Sequence, residues 1–185
     1  DATREMMGMS SIEWSRYMHE RLDVPMAPEE ISEAVVERIA ALYRKRLPLL
    51  PGAVEAVRSL SERWPLAVAS SSNRPVIDLV LELAAIADAF AVTVSSEEVG
   101  RGKPAPDVYL EAARRLGVAP DRCGAIEDSA NGIRAADAAE MTVIAVPNRE
   151  FTPDPESLRQ AAKVLISLEE LTPELVLQVG GTSPD

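Results

Sequence analysis

Polar side chains stand at the ends of three short apolar runs in this 185-residue sequence. Residues 70–73 (SSSN) follow one run, Lys103 lies in the loop GRGKPAPD after the next, and Glu127 and Asp128 close the third. Hydroxyls, a helix N-terminus and an ammonium suit a phosphate, whereas paired carboxylates suit Mg²⁺, which prefers oxygen ligands. Together these residue types favour metal-assisted phosphoryl transfer.

Each of these groups also has a purely structural interpretation. The residues 70–73 could cap the helix that starts near Pro75, and Lys103 could be a solvated loop lysine. Glu127 and Asp128 could cap the next helix and complement its dipole. The functional interpretation is favoured because three independent caps need not fall at three successive strand ends in the order hydroxyl, cation, carboxylate.

The elements that would position these groups alternate between strands and helices. Short apolar runs at 66–71, 91–95, 123–128, 142–146 and 163–167 predict strands, and amphipathic segments near 52–63, 75–85, 106–116, 130–138, 156–162 and 169–178 predict helices. Apolar strands joined through helices predict a parallel sheet covered on both faces, a three-layer α/β/α fold. Ligands bind at the carboxyl ends of such strands, so the polar ends should meet at one rim.

The first part of the chain predicts helices only. Ser10 with Glu13 forms a capping-box pattern, and Pro28 followed by two glutamates marks another helix start. The proline-rich break RLPLLPG then separates this part from the α/β part. We therefore expect a partial helical cap at 1–48 and an α/β core at 49–185.

The composition and net charge of the chain exclude several classes of function. The chain carries 19 Lys and Arg against 30 Asp and Glu, a net charge of −11, which argues against nucleic-acid binding because a phosphate backbone needs a basic face. No run approaches the length that spans a bilayer, and no secretion signal is recognised, so we expect no membrane partner. The single cysteine, Cys123, permits no internal disulfide, and a cytoplasmic location is expected.

Three strings carry a resemblance to one known family. They are LAVASSSN (66–73), SSEEVGRGKPAPDVYLEAARRLGV (95–118) and AIEDSANGIRAADAAEMTVIAVPN (125–148). Together they resemble the haloacid dehalogenase superfamily, in the subgroup of β-phosphoglucomutase-like phosphatases with a helical cap. The resemblance implies a Rossmann-like parallel sheet with a small helical cap domain, and a hydrolase that removes phosphate from a small phosphorylated metabolite with Mg²⁺ as cofactor.

The resemblance also implies roles at the phosphate. Ser70 would hold the transferring phosphoryl group, helped by the backbone N–H of Ser71 and by Asn73. Lys103 would neutralise charge between the phosphoryl group and the nucleophile. Independently of the resemblance, Arg101 could add to the positive field around the phosphate, although its position favours a solvated arginine.

By the same resemblance Glu127 and Asp128 would anchor the Mg²⁺, but the family's nucleophile has no counterpart. The family carries it as the first aspartate of a D-x-D-G motif on a central first strand, and no D-x-D-G string occurs in the sequence. A sheet without its central strand would leave backbone N–H and C=O groups unpaired. We therefore expect the core to lack its first strand, and the missing N-terminal segment to be required for turnover.

Residues 3–19 resemble the cap segment that closes over the family's site. The sugar-phosphate mutase of the family has an arginine for a second substrate phosphate where this sequence has Ser11. That departure favours a phosphatase, although Arg4 and Arg16 could substitute from nearby. The alternatives are a β-phosphoglucomutase-like mutase and a binding or regulatory remnant without catalytic activity.

Overall fold

Helices come first along the chain, and from residue 53 onward helices and strands alternate. The computed structural model describes residues 2–180, with the exception of the Arg4 side chain. The helices are α1 Ala2–Met6, α2 Ser11–Arg21, α3 Pro28–Lys45, α4 Ala53–Ser61, α5 Arg74–Leu83, α6 Asp107–Leu116, α7 Ala130–Ala138, α8 Pro155–Leu158 and α9 Pro173–Gly180. The strands are β1 Leu66–Ser70, β2 Phe90–Ser95, β3 Gly124–Glu127, β4 Thr142–Ala145 and β5 Lys163–Val164.

The strands pair in parallel, which confirms the predicted α/β fold. β1 pairs with β2, and β4 pairs with β3 on one side and with β5 on the other. These pairs form two separate sheets, one of two strands and one of three. Within residues 2–180, no strand is hydrogen-bonded between β1 and β3.

Two apolar clusters cover opposite faces of the three-stranded sheet. Val143 and Ala145 of β4 join the cluster that includes residues of α6 and α7. Ile144 and Val146 join the cluster with α4 and α9. Because successive side chains of a strand point to opposite faces, this alternation produces the predicted three layers.

The predicted end of the chain is partly wrong. The strand expected at 163–167 pairs over Lys163 and Val164 only, and the helix expected from 169 begins at Pro173. Ser167 caps a single 3₁₀ turn over Leu168–Glu170 instead, and its hydroxyl accepts from the Glu169 N–H. A proline fits the first helical turn, so α9 starts after this turn.

The helices at the start of the chain form as the capping signals predict. The Ser10 hydroxyl accepts from the Glu13 N–H at 3.3 Å, and the Glu13 carboxylate accepts from the Ser10 N–H at 2.7 Å. α3 begins at Pro28 and packs against both α2 and α5. In the described part of the chain no helix is long and apolar enough to cross a membrane.

Two arginines cover part of the outer edge of β2. The Thr93 carbonyl accepts from Arg74 at 3.1 Å and from Arg115 at 3.4 Å. Both guanidinium groups also pair with the Glu98 carboxylate. The hydrogen bond from the Ser95 N–H, with these two arginines, lowers the pKa of Glu98 to about 2 against the opposing effect of burial. Charged groups at this edge oppose pairing with a further strand.

Glu98 should therefore stabilise the fold at neutral pH and lose that effect in acid. Its folded pKa lies below the ordinary value of 4.5, so its contribution is present above pH 4.5 and disappears as the pH falls towards about 2. We expect Glu98→Gln to lower the free energy of unfolding by about 1 kcal/mol at neutral pH, since the carboxylate is partly solvated. Urea unfolding at several pH values measures this, with exposed Glu82→Gln as the control. A Glu98→Gln effect that is the same at all pH values would contradict the assignment.

Candidate functional site

A buried ion pair lies between β1 and β3, where the sheet is divided. Lys103 is 9% exposed and Glu127 is 7% exposed, and the Lys103 ammonium is paired with the Glu127 carboxylate. The same ammonium donates to the Ala69 carbonyl of β1 at 3.2 Å. Lys103 therefore contacts the carboxyl ends of both β1 and β3, as the sequence predicts for a common rim.

Tyr109 of α6 is part of this cluster, although the sequence analysis did not identify it. Its hydroxyl donates to the Glu127 carboxylate and lies 3.2 Å from the Lys103 ammonium. Burial raises the pKa of Tyr109 well above its ordinary value, and the negative charge of Glu127 raises it further. Tyr109 is therefore a neutral hydrogen-bond donor to Glu127. From the sequence alone, the place of Tyr109 on the apolar face of α6 predicts a tyrosine that packs in the core, with no sign of its contact with Glu127.

The second oxygen of Glu127 faces the start of α7. It accepts from the Asp128 N–H at 3.1 Å, the Ser129 N–H at 3.5 Å and the Ser129 hydroxyl at 3.3 Å. Burial alone would raise the pKa of Glu127, but the charge of Lys103 and the hydrogen bonds from Lys103, Tyr109 and the Ser129 N–H outweigh it and hold the pKa below its usual range. Glu127 is thus an ionised carboxylate in a buried position.

Asp128 carries the negative charge that the cluster compensates least. Burial raises its pKa and the neighbouring Glu127 charge raises it further, although a hydrogen bond with Asn148 and the charge of Lys103 act in the opposite direction. One ammonium thus faces two carboxylates, so a cation beside Asp128 would balance the charge. No group of three or more His, Cys, Asp or Glu side chains able to hold a metal occurs within residues 2–180. This donor set fits Mg²⁺, which commonly needs one or two carboxylates besides phosphate and water oxygens.

Ser129, and not Glu127 or Asp128, supplies the side-chain cap of α7, and Asn73 supplies none to α5. Ser129 caps α7, because its hydroxyl accepts from the Gly132 N–H at 3.0 Å. Asn73 precedes α5 but makes no side-chain cap. Its amide donates instead to the Ser32 hydroxyl and to the Glu97 carboxylate, both at 3.0 Å. The Asn73 amide is therefore bonded to α3 and to the loop after β2, and not to the first turn of α5.

The turn between α1 and α2 lies over the rim. The Ser71 hydroxyl donates to the Gly8 carbonyl at 2.9 Å, and the Asn131 amide donates to the Met7 carbonyl at 2.6 Å. Gly8 has φ +87°, and a Cβ there would lie 2.8 Å from the Asn131 Cβ. A glycine is needed at this close approach, so the turn joins the β1 and β3 sides of the site.

The other predicted phosphate residues differ in position. Ser70 ends β1 next to the Lys103 contact, and its hydroxyl accepts from the Ser72 N–H at 3.1 Å. Arg101 is 71% exposed, and its guanidinium binds the Asp107 carboxylate through two nitrogens. The structure thus places Ser70 at the rim, whereas the hydrogen bonds of Arg101 go to the start of α6.

Two of the predicted cap residues, Ser11 and Arg16, line a cleft of about 420 Å³ between α2, α3 and the start of α5. Ser11 is 2% exposed and its hydroxyl donates to the Glu97 carboxylate at 2.6 Å. Arg16 is exposed and lines the cleft. The Arg4 side chain lies outside the described residues. Sequence reasoning missed Glu97, because a glutamate in a polar loop gives no signal of its distant partners.

The family model for haloacid dehalogenase-like hydrolases matches residues 2–140. The chain belongs to this family. The fold of this haloacid dehalogenase-like hydrolase resembles that of CbbY from Rhodobacter sphaeroides, crystallised in complex with phosphate, with a TM-score of 0.80. The two are 29% identical, and the match covers 91% of this chain and 78% of that chain.

Curated relatives of this hydrolase include phosphatases. It is 41% identical over 145 residues to hexitol phosphatase B of Escherichia coli (strain K12), a match that covers 78% of this chain. It is 36% identical over 146 residues to a bifunctional riboflavin kinase/FMN phosphatase of Arabidopsis thaliana, again over 78% of this chain. The matched part is 65% of the first relative's length and 38% of the second's.

Removing the Tyr109 hydroxyl should destabilise the protein. Tyr109→Phe leaves the buried Glu127 carboxylate with one donor fewer, and we expect the free energy of unfolding to fall by about 1–2 kcal/mol. Urea denaturation measures the change, with Tyr43→Phe on α3 as the matched control near zero. Equal losses in the two variants would show that the Tyr109 hydroxyl has no special role.

Gly132 should be required for the position of Glu127. A Cβ at residue 132 would overlap the Glu127 carboxylate, so this buried group would have to move. Helix propensity alone predicts that Gly132→Ala in α7 is stabilising by about 1 kcal/mol, whereas we expect a loss of about 2–4 kcal/mol. Thermal unfolding shows whether Gly132→Ala raises or lowers the stability of the protein. Gly124→Ala is the control, since its Cβ would meet only the Thr142 carbonyl, at 3.9 Å. A stabilised Gly132→Ala protein would contradict this packing.

Proposed function

We propose that this chain carries the phosphate-binding and metal-binding residues of a Mg²⁺-dependent phosphatase that hydrolyses a small phosphorylated metabolite. The observation that supports this most directly is the cluster of Lys103, Glu127 and Asp128 between the two sheets. The phosphatase names of the curated relatives agree with it. Residues 1–48 would serve as the helical cap and residues 49–185 as the core.

Each group in the cluster has a distinct part in this proposal. Ser70 and the Ser71 N–H bind the phosphoryl oxygens, whereas both N–H groups of the Asn73 amide are already donated to Ser32 and Glu97. The Lys103 ammonium stabilises the negative charge that spreads over the transferring group. Asp128, with Glu127 beside it, would hold the Mg²⁺, which when bound supplies further positive charge at the phosphoryl oxygens.

The nucleophile of this proposal is an aspartate on a strand that inserts between β1 and β3. The division of the sheet at this point supports it, as does Ile126, which is 39% exposed in the middle of β3. The carboxylate of that aspartate attacks phosphorus and forms an aspartyl-phosphate, while the second aspartate of the D-x-D-G motif gives its proton to the departing alkoxide. The same second aspartate then takes a proton from water, which attacks the aspartyl-phosphate, releases inorganic phosphate and restores the first carboxylate. The described residues alone would bind phosphate but not turn it over.

A complementation experiment tests this function. The chain is assayed for Mg²⁺-dependent hydrolysis of p-nitrophenyl phosphate, alone and with an apolar strand peptide that ends in D-x-D-G, added in trans or fused through a flexible linker. We expect hydrolysis only with the strand, and none when its first aspartate is replaced by asparagine. Asp128→Asn in the complemented protein should reduce the rate by about 100-fold or more, because a metal ligand is lost.

The other outcomes distinguish the competing functions. Equal hydrolysis by the chain without the strand would show that the nucleophile lies among these residues. Phosphate binding without hydrolysis in the fused protein would favour a binding module over an enzyme. An Asp128→Asn variant with unchanged activity would refute the metal assignment.

A further inference from the structure

We propose that the exposed face of α3 binds the same face of a second copy of this chain, with the two helices antiparallel across a twofold axis. The inference is independent of the proposed phosphatase function. α3 has 18 residues and is the longest helix within residues 2–180. Because it extends over about 27 Å, it offers a continuous surface along one side of the helical region.

The two faces of α3 differ in exposure. The inner face includes Ile31, which is 2% exposed, and α3 packs against α2 and α5. The outer face is a set of exposed residues at helical spacing, which we call the α3 stripe. At 3.6 residues per turn these residues share a surface about 100° wide. They are Glu30, Ala34, Glu37, Arg38, Ala41 and Lys45.

The charges of the α3 stripe are not paired within the chain. In the described part of the protein, no ion pair includes a side chain of α3. Glu30 accepts a hydrogen bond from the Ala27 N–H at 3.0 Å, which occupies one of its two oxygens and leaves its charge unpaired.

The helix dipole explains only part of this charge pattern. Acidic residues at the start of a helix and basic residues at its end complement the dipole, but the effect falls off within the first and last turns. Glu37 and Arg38 lie in the middle turns of α3, where the dipole gives no reason for either sign. These two charges therefore need another explanation.

An antiparallel pair of α3 helices, centred between residues 37 and 38, brings opposite charges together along the whole stripe. Glu37 then faces Arg38 of the second copy, and Glu30 faces Lys45 of the second copy. Each contact occurs twice across a twofold axis, which gives four ion pairs. In a parallel pair with the same register, each charge would instead face its own copy, and like charges repel. The charges thus specify both the direction and the register of the pair.

Two alanines allow the helices to approach each other. In the same register Ala34 faces Ala41 of the second copy, and small side chains at such positions permit helix axes to lie about 8 Å apart. One helix face from each copy is a small interface, and both chains are acidic overall. We therefore expect a weak dimer, with a Kd on the order of 100 μM.

Charge reversal on the α3 stripe tests this pairing. Glu30→Lys/Glu37→Arg makes the stripe entirely basic, and Arg38→Glu/Lys45→Glu makes it entirely acidic. Each variant alone should dimerise at least about tenfold more weakly, because four attractive pairs become repulsive. An equimolar mixture of the two should form a heterodimer, since every basic position then faces an acidic one. Sedimentation equilibrium over about 10–500 μM measures the association of each sample.

The matched control changes the same amount of charge elsewhere. Glu62→Lys/Glu82→Lys replaces two exposed glutamates outside α3. Each replacement adds two charges, so this control and the basic variant both carry −7 instead of −11. A lower net charge by itself favours association, so weaker dimerisation of the basic variant than of the control depends on the α3 stripe. The single variants Glu37→Arg and Arg38→Glu repeat the mixing test with one contact.

Several results would overturn the inference while the phosphatase function stands. One is a native chain that stays monomeric over the whole concentration range. Another is a dimer that persists in both charge-reversed variants, because the contact would then lie on a different surface. A mixture that fails to associate, for the double and the single variants alike, would show that the charges of α3 do not face each other.

Discussion

The buried pair of Lys103 and Glu127 is the constraint on which the rest of the site depends. Removing two charges from water costs several kcal/mol per ion, so such a pair persists only when every polar atom is partnered. Tyr109, Ser129 and the Ala69 carbonyl supply those partners, and Gly132 leaves the space that the Glu127 carboxylate occupies. Apolar side chains could fill the same volume without that cost. The pair is therefore what the proposed phosphate site requires, and the negative charge on Asp128 agrees with the proposed Mg²⁺.

The ion pair of Lys103 and Glu127 lies where the sheet is divided. β1 and β3 belong to different sheets, and the Lys103 side chain contacts both of them. The turn at Met7 and Gly8 makes a second connection across the same rim. Polar groups from β1, β3 and the first turn of the chain thus converge on one place. This convergence is the general rule for parallel sheets, in which ligands bind at the carboxyl ends of the strands.

The fold and much of the site follow from patterns local in the sequence. Apolar runs in the sequence predict the positions of β1 to β4, and the capping pattern of Ser10 and Glu13 predicts the start of α2. The polar residues that follow the strands include Lys103 and Glu127. The parts that sequence reasoning missed depend on contacts between distant residues. The sequence pattern predicts only a core tyrosine at Tyr109, whereas in the structure its hydroxyl donates to Glu127. It likewise predicts only a loop glutamate at Glu97, whose carboxylate accepts from Ser11 and Asn73 in the structure. The late start of α9 depends on a competing local cap at Ser167.

The central claim is that Lys103, Glu127 and Asp128 form one site for phosphate and Mg²⁺. The most direct measurement is the affinity of the chain for inorganic phosphate with and without Mg²⁺, in the native protein and in Asp128→Asn. Two ligands that share a site with opposite charges must strengthen each other's binding. The account predicts that Mg²⁺ tightens phosphate binding to the native protein by about tenfold, and that Asp128→Asn abolishes this effect. A phosphate affinity that is independent of Mg²⁺, or a Mg²⁺ effect that survives in Asp128→Asn, would contradict it.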